Sequence, residues 1–533
     1  MFNTGNGGFK ILLSIKRHSS GCLKQGERVE KKKRPHTWII IESTSGSGII
    51  GSINENDVSI VTKSDLTDHP EIRFGPKDKV CISCETVLDD VLKRLDNPDK
   101  HRIIESLKDK SHFREMLKPI FPDFFYQKVQ LKNMDKLVLE SGKKYCIKPI
   151  KGYWGSAAHI IDANTDLKKL KKQIQNELKK NISFFSEKVL SKNEMILEQY
   201  LEGEEYAVDM YFSEDGTPVI LNICHHPIPP KREYLHVVYY TGEKVFDELY
   251  DQLFEFMKKV NVTLNAKSFP VHAEFKLTPS GLIPVEFNPL RFGSDGFADL
   301  GYHAYGNNPF LCFARDIRPD WQKIQESRAG KFYAFYLGYN GTAIDTLEYR
   351  PNARQFRRLF SNIITDTALN YRNSPAFSVV YFEENSLDKI DELLRVEFNQ
   401  FFVPLAGYSE TTCRELNRAG MKIHLKKGTV LWKTGELGDY LLLVLKGELE
   451  VYLTSGGKEK ILDCIGPGSI TGELSALDGL PRSACVRTKS DCVAVKIMGP
   501  VFRKLLNRIP DILEDLFWQQ VNRVRNLNRK IAG

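Results

Sequence analysis

Short runs and alternations of apolar residues divide this chain into regions of different texture. Trp38 to Glu42, Val58 to Thr62 and Lys79 to Ser83 predict strands, and Thr86 to Leu95 predicts a helix. Strand and helix in alternation predict an α/β layer. Residues 101–330 continue as a mixed α/β pattern with many strands. Two more strands, Lys331 to Gly338 and Phe377 to Glu383, precede a helix-period stretch from Asp388 to Phe398 with apolar Ile390, Leu393, Leu394 and Val396. From Gly407 the pattern becomes short strands punctuated by Gly428, Gly435, Gly438, Gly447, Gly466, Gly468 and Gly472, which predicts a small β-roll. A long helix from Pro500 to Ile531, broken near Pro510, closes it. The expected divisions are 1–37, a basic tail; 38–109, an α/β domain; 110–330, a second α/β domain; 331–406, an appended α+β subdomain; and 407–533, the roll with its helix.

One hairpin carries candidate chemistry. His272 to Leu277 and Leu282 to Phe287 read as strands around a turn at Pro279-Ser280-Gly281. Residues two apart on a strand share a face, so Glu286 and Asn288 do, and the hairpin can bring Glu274 beside them. Two carboxylates and an amide carbonyl are hard oxygen donors that suit Mg²⁺ holding nucleotide phosphates. A hairpin with surface acids is the other reading of the same residues. Upstream, the strand Tyr145 to Pro149 carries Lys148 and runs into Ile150-Lys151-Gly152-Tyr153-Trp154-Gly155-Ser156-Ala157. The backbone N–H groups of such a loop can approach phosphate oxygens, and Lys148 supplies a point charge. Ile196 to Asp209 reads as strand, tight turn and strand. It forms a hinge whose backbone can read an adenine edge, with Glu205 available to ribose hydroxyls.

Taken in this order, the pieces resemble the ATP-grasp superfamily over about residues 38–330, with 38–109 as its pre-ATP-grasp domain. The resemblance implies Lys110 and Lys148 as the ATP lysines, Gly155 and Ser156 in the phosphate loop, and Glu198, Gln199 and Leu201 at the adenine hinge. It implies Glu205 as the ribose acid and Glu274, Glu286 and Asn288 as Mg²⁺ ligands. Lys148 and Arg291 become the catalytic cations, although Pro289-Leu290-Arg291 places the arginine one residue later than the family's usual spacing. The implied activity is a carboxylate–amine (or thiol) ligase. ATP converts a small carboxylate to an acyl phosphate, a nucleophile displaces phosphate, and ADP is released. A non-catalytic nucleotide sensor and an ATP-grasp phosphotransferase are the alternatives. The Gly-rich loop Arg291 to Gly296 and the stretch Cys224 to Arg232 are expected beside the substrate. His225 and His226 are expected in a loop role, since further metal ligands at useful spacing are missing.

The roll holds a second candidate. A short helix after Gly472 aims N–H groups at a phosphate, Arg482 can pair with that phosphate, and Glu473 can accept a ribose hydroxyl. Gly472-Glu473-Leu474 with Pro481-Arg482-Ser483-Ala484 resembles the phosphate-binding cassette of cyclic nucleotide-binding domains, nearest the bacterial catabolite-activator type. That resemblance covers about 410–533 and implies cAMP (or cGMP) as effector and a homodimer through the C-terminal helix. Leu527-Asn528 stands where that type has Thr-Ser, which leaves purine choice open. A roll that binds nothing is the other reading. With no helix-turn-helix before Gly533, a transcription factor is not expected.

Charge adds little beyond one end. Residues 1–37 hold nine Lys/Arg against two Glu, which accounts for seven of the net +8. The run Lys31-Lys32-Lys33-Arg34 reads as a solvated tail, or as a contact for nucleic acid or anionic lipid. The near-neutral remainder makes nucleic acid an unexpected principal ligand. No apolar run approaches the ~20 residues of a membrane span, and Phe9 to Ile15 is too brief for a secretory signal, so a cytoplasmic protein is expected. Ten cysteines, mostly inside apolar runs, fit a reducing compartment. Cys81-Ile82-Ser83-Cys84 reads either as a redox pair or as small buried hydrophobes.

Overall fold

Three parallel strands, β1 (Thr37–Ile41), β2 (Val58–Thr62) and β3 (Lys79–Ile82), form the first sheet in the order β2-β1-β3. Ile39, Ile40, Cys81 and Ile82 are fully buried, as continuous apolar runs in parallel strands require. This computed structural model describes residues 35–532 apart from 43–47, 55, 153–156, 182–188, 232–233, 295 and 406. Most of the basic tail, together with Gly155, Ser156, Arg232 and Asp295, therefore lies outside the described residues. The helix expected over Thr86 to Leu95 is shorter, a 3-10 turn at Glu85–Val87 and an α-turn at Leu88–Leu92. Residues 94–96 leave it to pair with Phe74, which donates to Arg94 and accepts from Asp96.

A second sheet follows the helices Pro98–Lys108 and Lys110–Leu117. Its strands are β4 (Tyr126–Gln130), β5 (Tyr145–Pro149), β6 (His159–Ile161) and β7 (Glu194–Gln199), antiparallel in the order β4-β7-β5-β6. It has its own core, including Ile147, Ile174, Met195 and Leu197.

The third sheet is the largest. Its strands are β8 (Glu204–Phe212), β9 (Pro218–His226), β10 (Val238–Gly242), β11 (Phe269–Thr278) and β12 (Gly281–Pro289), joined by β13 (Phe332–Tyr339), β15 (Asn362–Ala368) and β16 (Ala376–Glu384). Between them in the chain lies the short β14 (Tyr349–Pro351), which pairs with β17 (Phe402–Pro404). The order β12-β11-β8-β9-β10-β13-β16-β15 carries one sheet from residues 204–289 straight into 332–384. The helix Glu243–Leu264 covers it with Val245, Phe246, Leu249, Leu253, Met257, Val260 and Leu264, an i, i+3/i+4 apolar face. His225 and His226 are strand residues at the end of β9, not loop residues as expected. The helix expected to reach Phe398 stops at Leu393, and a 3-10 turn forms at Phe398–Phe401.

The roll comprises two four-stranded antiparallel sheets built from strands between Met421 and Met498. The long terminal helix is two helices, Gly499–Arg508 and Pro510–Ala532. Ile509 between them has φ −127° and ψ 87°, because a residue before proline is pushed out of helical geometry.

Phe356, on the helix Ala353–Arg357, is the aromatic hub behind β13. It is fully buried, with Phe377 at 4.7 Å, Phe401 at 5.3 Å and Tyr336 at 6.0 Å between ring centroids. Phe356→Ala is expected to destabilise this region by about 3–5 kcal/mol. Urea denaturation followed by tryptophan fluorescence checks this, and a loss under ~1 kcal/mol would contradict the packing.

Candidate active site and nucleotide cassette

A cavity of about 560 Å³ is lined by both antiparallel sheets of the first half and by residues of the helices before them. Lys110, Lys148, Glu198, Gln199, Leu201, Glu205, Glu274, Glu286, Asn288 and Arg291 all line it. Sequence positions spread over 180 residues thus meet in one place.

The hairpin β11–β12 sets the acidic end. Glu274 lies directly opposite Glu286 on the ladder, and His272 opposite Asn288. Burial, and then the Glu286 carboxylate, push the Glu274 carboxyl above its ordinary value. Burial opposes ionisation of Glu286 too, but Lys110, Lys108 and Lys148 hold its carboxyl below the usual range. Lys110 Nζ is 3.0 Å from Glu286 Oε2. Two opposed carboxylates beside an amide oxygen form a donor set of the kind a hard divalent cation takes.

The hinge end is built differently. Glu198 on β7 is buried between two cations, with Arg114 Nε donating to Oε1 at 2.6 Å and Lys148 Nζ 2.8 Å from Oε2. Burial alone would raise its pKa, yet Arg114 and Lys148 bring it down to about 2. Glu198 in turn keeps Lys148 charged against the pull of desolvation. Glu205, at the start of β8, is also about 2, because His226 and Lys276 outweigh the burial that disfavours its charge. His226 Nδ1 is 2.8 Å from Glu205 Oε1, and Lys276 Nζ is 3.3 Å from Oε2.

Arg291 explains its own unusual spacing. Leu290, the extra residue after Pro289, is buried in a left-handed conformation, φ 60°. Its carbonyl accepts from Ile82 N at 2.7 Å, and Arg291 bridges Ile82 in parallel register. The guanidinium then meets Glu85, with Nε and Nη2 both 3.3 Å from Oε1, while Lys108 donates to the other carboxylate oxygen. Asp209 Oδ1 accepts from Gly293 N at 2.8 Å and sits 2.8 Å from His272 Nδ1, which fixes the loop after Arg291. A Cβ at Gly293 would lie 2.0 Å from Phe297 Cδ1, so only glycine fits there.

Glu85, Arg114, His272 and Lys276 were not singled out as site residues from the sequence, and His226 was expected only in a loop role. Three had a readable signal. Arg114 is four residues from Lys110 on one helix face, and His272 and Lys276 alternate with Glu274 on a strand. Glu85 and His226 are set by long-range pairing alone. At the strand-to-helix junction, burial raises the thiols of Cys81 and Cys84, the opposite of what an activated redox pair needs.

In the roll, Gly472 has φ 81° and precedes the helix Glu473–Asp478. A Cβ on Gly472 would approach Arg482 Nη1 to 2.7 Å and Trp432 to 3.0 Å. Arg482 is buried rather than open to solvent. Its guanidinium stacks 4.1 Å from the Trp432 ring centroid, and it donates to Gly472 O at 2.8 Å and Tyr440 O at 2.7 Å. Glu473 is also buried. Its Oε1 accepts from Gln520 Nε2 at 2.7 Å and from Arg523 Nη1 of the C-terminal helix. Leu474 and Ser483 are exposed and Ala484 is buried.

Residues 142–299 match the ATP-grasp domain model, and residues 422–509 match the cyclic nucleotide-binding domain model. The chain carries an ATP-grasp domain followed by a cyclic nucleotide-binding domain that resembles those of catabolite-activator regulators. An uncharacterized ABC transporter ATP-binding protein of Mycobacterium tuberculosis is 40% identical over 93 residues, 17% of this chain and 28% of that protein. The CRP-like cAMP-activated global transcriptional regulator of Mycobacterium tuberculosis is 26% identical over 127 residues, 24% of this chain and 57% of that protein. The chain thus spans only 28% to 57% of the length of these curated relatives. The crystal structure of an L-amino acid ligase from Bacillus licheniformis superimposes with a TM-score of 0.49 at 13% identity, over 70% of this chain and 99% of that one.

The Glu198 network makes a pH prediction. Its folded pKa of about 2 lies below the ordinary 4.5, so its stabilisation is complete above pH 4.5 and fades as pH falls toward 2. Wild type should lose more stability than Glu198→Gln between pH 6 and 3.5, read as urea midpoints. Parallel pH profiles would contradict the assignment.

Proposed function

We propose that the cavity is the active site of an ATP-dependent carboxylate–amine (or thiol) ligase, and that cyclic nucleotide binding to the roll regulates it. The observation that carries this reading is the opposed, half-buried pair Glu274 and Glu286, with Asn288 beside them and Lys110, Lys148 and Arg291 around the same cavity. ATP would lie with adenine at Glu198, Gln199 and Leu201 and ribose at Glu205. Gly155 and Ser156 complete the proposed phosphate loop. Glu274, Glu286 and Asn288 would hold Mg²⁺, which supplies charge neutralisation of the phosphates.

In this scheme a carboxylate oxygen of the substrate attacks the γ-phosphorus and ADP leaves. An amine or thiol then attacks the acyl carbon and inorganic phosphate leaves. Lys148 and Arg291 offset charge on the transferred group, and positioning matters more than covalent help. Ile228, Tyr239, Phe297, Phe335 and Leu337 line the same cavity and offer an apolar wall for the non-reacting part of a substrate.

In the roll, Gly472, Glu473, Leu474, Arg482, Ser483 and Ala484 are the proposed contacts for cAMP or cGMP. A second copy of the chain is the proposed partner of the C-terminal helix. Leu513, Phe517, Val524 and Leu527 form an exposed apolar row there. No described helix is long and apolar enough to cross a membrane. Among the described residues nine cysteines stand outside any disulfide, which supports the proposed cytoplasmic setting. The domain divisions at 37, 109, 330 and 406 stay part of this proposal.

A phosphate-release screen over amino acids and small carboxylates, with and without cAMP, is the test. The expected result is ADP and free phosphate in equal amounts with one substrate class, and a loss of ~10²–10³-fold in Glu286→Ala. Phosphate retained on the product would instead indicate a phosphotransferase. Mg·ATP binding without turnover on any mixture would indicate a sensor.

A further inference from the structure

The C-terminal helix, Pro510–Ala532, contacts two different parts of the chain, one near its start and one in its middle. Near its start, Asp511 and Asp515 are buried acids that meet three arginines from outside the roll. Arg350 Nη2 donates to Asp515 Oδ1 at 2.5 Å, Arg358 Nη2 to Asp511 Oδ2 at 2.9 Å, and Arg354 Nε lies 3.2 Å from Asp511 Oδ1. Further along, Gln520 and Arg523 grip Glu473 of the cassette, and Arg523 also donates to Ile470 O at 2.7 Å. Asp515 and Arg523 are eight residues apart, or about 12 Å along the axis.

The arginine end connects onward to the cavity. Arg350 lies on β14, and Phe356 sits on the short helix that follows. Phe356 fills the space over Gly338 of β13, where a Cβ would come within 2.7 Å of Phe356 Cζ, and it packs on Tyr336. Tyr336 and Gly338 share one face of β13, so Phe335 and Leu337 point to the other, where both line the ATP-grasp cavity. Side-chain contacts, joined by the backbone of the C-terminal helix and of the segment from Arg350 to Phe356, thus lead from Glu473 to the cavity wall.

Resting on both nucleotide readings above, we propose that this helix is a latch. In the closed state described here, Gln520 and Arg523 occupy the carboxylate that a ribose would need. A cyclic nucleotide must displace them, and the freed helix then shifts the Arg350–Phe356–β13 unit that forms the cavity wall. An effector acts only through differential affinity for two states, and competition for Glu473 supplies that difference.

Equilibrium titration of the full chain tests this, with cAMP and cGMP in turn as one ligand and a non-hydrolysable Mg·ATP analogue as the other. Arg523→Ala, with Gln520→Ala as a milder second variant, should bind cyclic nucleotide up to ~10-fold more tightly than wild type, as when the competent state rises from about a tenth of the population to most of it. In wild type the cyclic nucleotide should change analogue affinity by at least ~5-fold. Arg350→Gln should abolish that change while each ligand still binds. Arg354→Ala/Arg358→Ala, on more exposed side chains, replaces it if Arg350→Gln does not fold. Unchanged or weaker cyclic nucleotide binding in Arg523→Ala overturns the latch. So does coupling that survives the arginine substitutions, or cyclic nucleotide binding that leaves analogue affinity unmoved in wild type. These last results leave the ligase reading intact, whereas failure of the analogue to bind at all removes that reading itself.

Discussion

Two half-buried carboxylates face each other across the β11–β12 ladder, and much of the first half of the chain is arranged around that fact. Glu274 and Glu286 cannot both carry charge in a desolvated site without cations nearby. Lys110 and Lys148 enter the cavity from a helix and a strand of other layers, and Lys108 lies just behind. Each cation needs its own acid, so Glu198 sits between Arg114 and Lys148, and Glu85 between Arg291 and Lys108. Removing one member of such a network leaves an uncompensated buried charge, which costs far more than a surface pair gains. The sheets are therefore tied together by the same charged groups that line the cavity.

Face and period were legible along the chain. Alternation on a strand put Glu286 and Asn288 on one side and predicted that the hairpin would bring Glu274 to them, because a two-residue period leaves no other choice once the turn at Pro279 to Gly281 is accepted. The break at Pro510 was equally local. Partners distant in sequence were not legible. Glu85 and Arg291 are separated by 206 residues, and nothing in either neighbourhood announces the other. The left-handed Leu290 is a response to the bridge with Ile82, so the shifted spacing of Arg291 looked like a departure until that bridge was seen. The continuation of the large sheet into β13, β16 and β15 is a matter of which edge a strand joins, and periodicity does not encode it.

The roll gives a parallel lesson. Its sequence marks Glu473 and Arg482 by type and spacing, and the structure shows what holds each of them: helix residues for the first, two carbonyls and two aromatic rings for the second. A buried polar group is rarely left without partners, and both of these find theirs within the chain. The same helix that supplies Gln520 and Arg523 is fixed by Asp511 and Asp515 to the arginines around β14. The C-terminal helix and the segment around β14 share one charged interface.

The most direct test of the central claim is a calorimetric titration of ATP into the protein with and without Mg²⁺, repeated on Glu274→Gln. The account predicts binding in Mg²⁺ that weakens strongly when the metal is chelated, with the substitution reproducing most of that loss. ATP binding that is indifferent to Mg²⁺, or unchanged in Glu274→Gln, would contradict a metal-nucleotide site at the opposed glutamates.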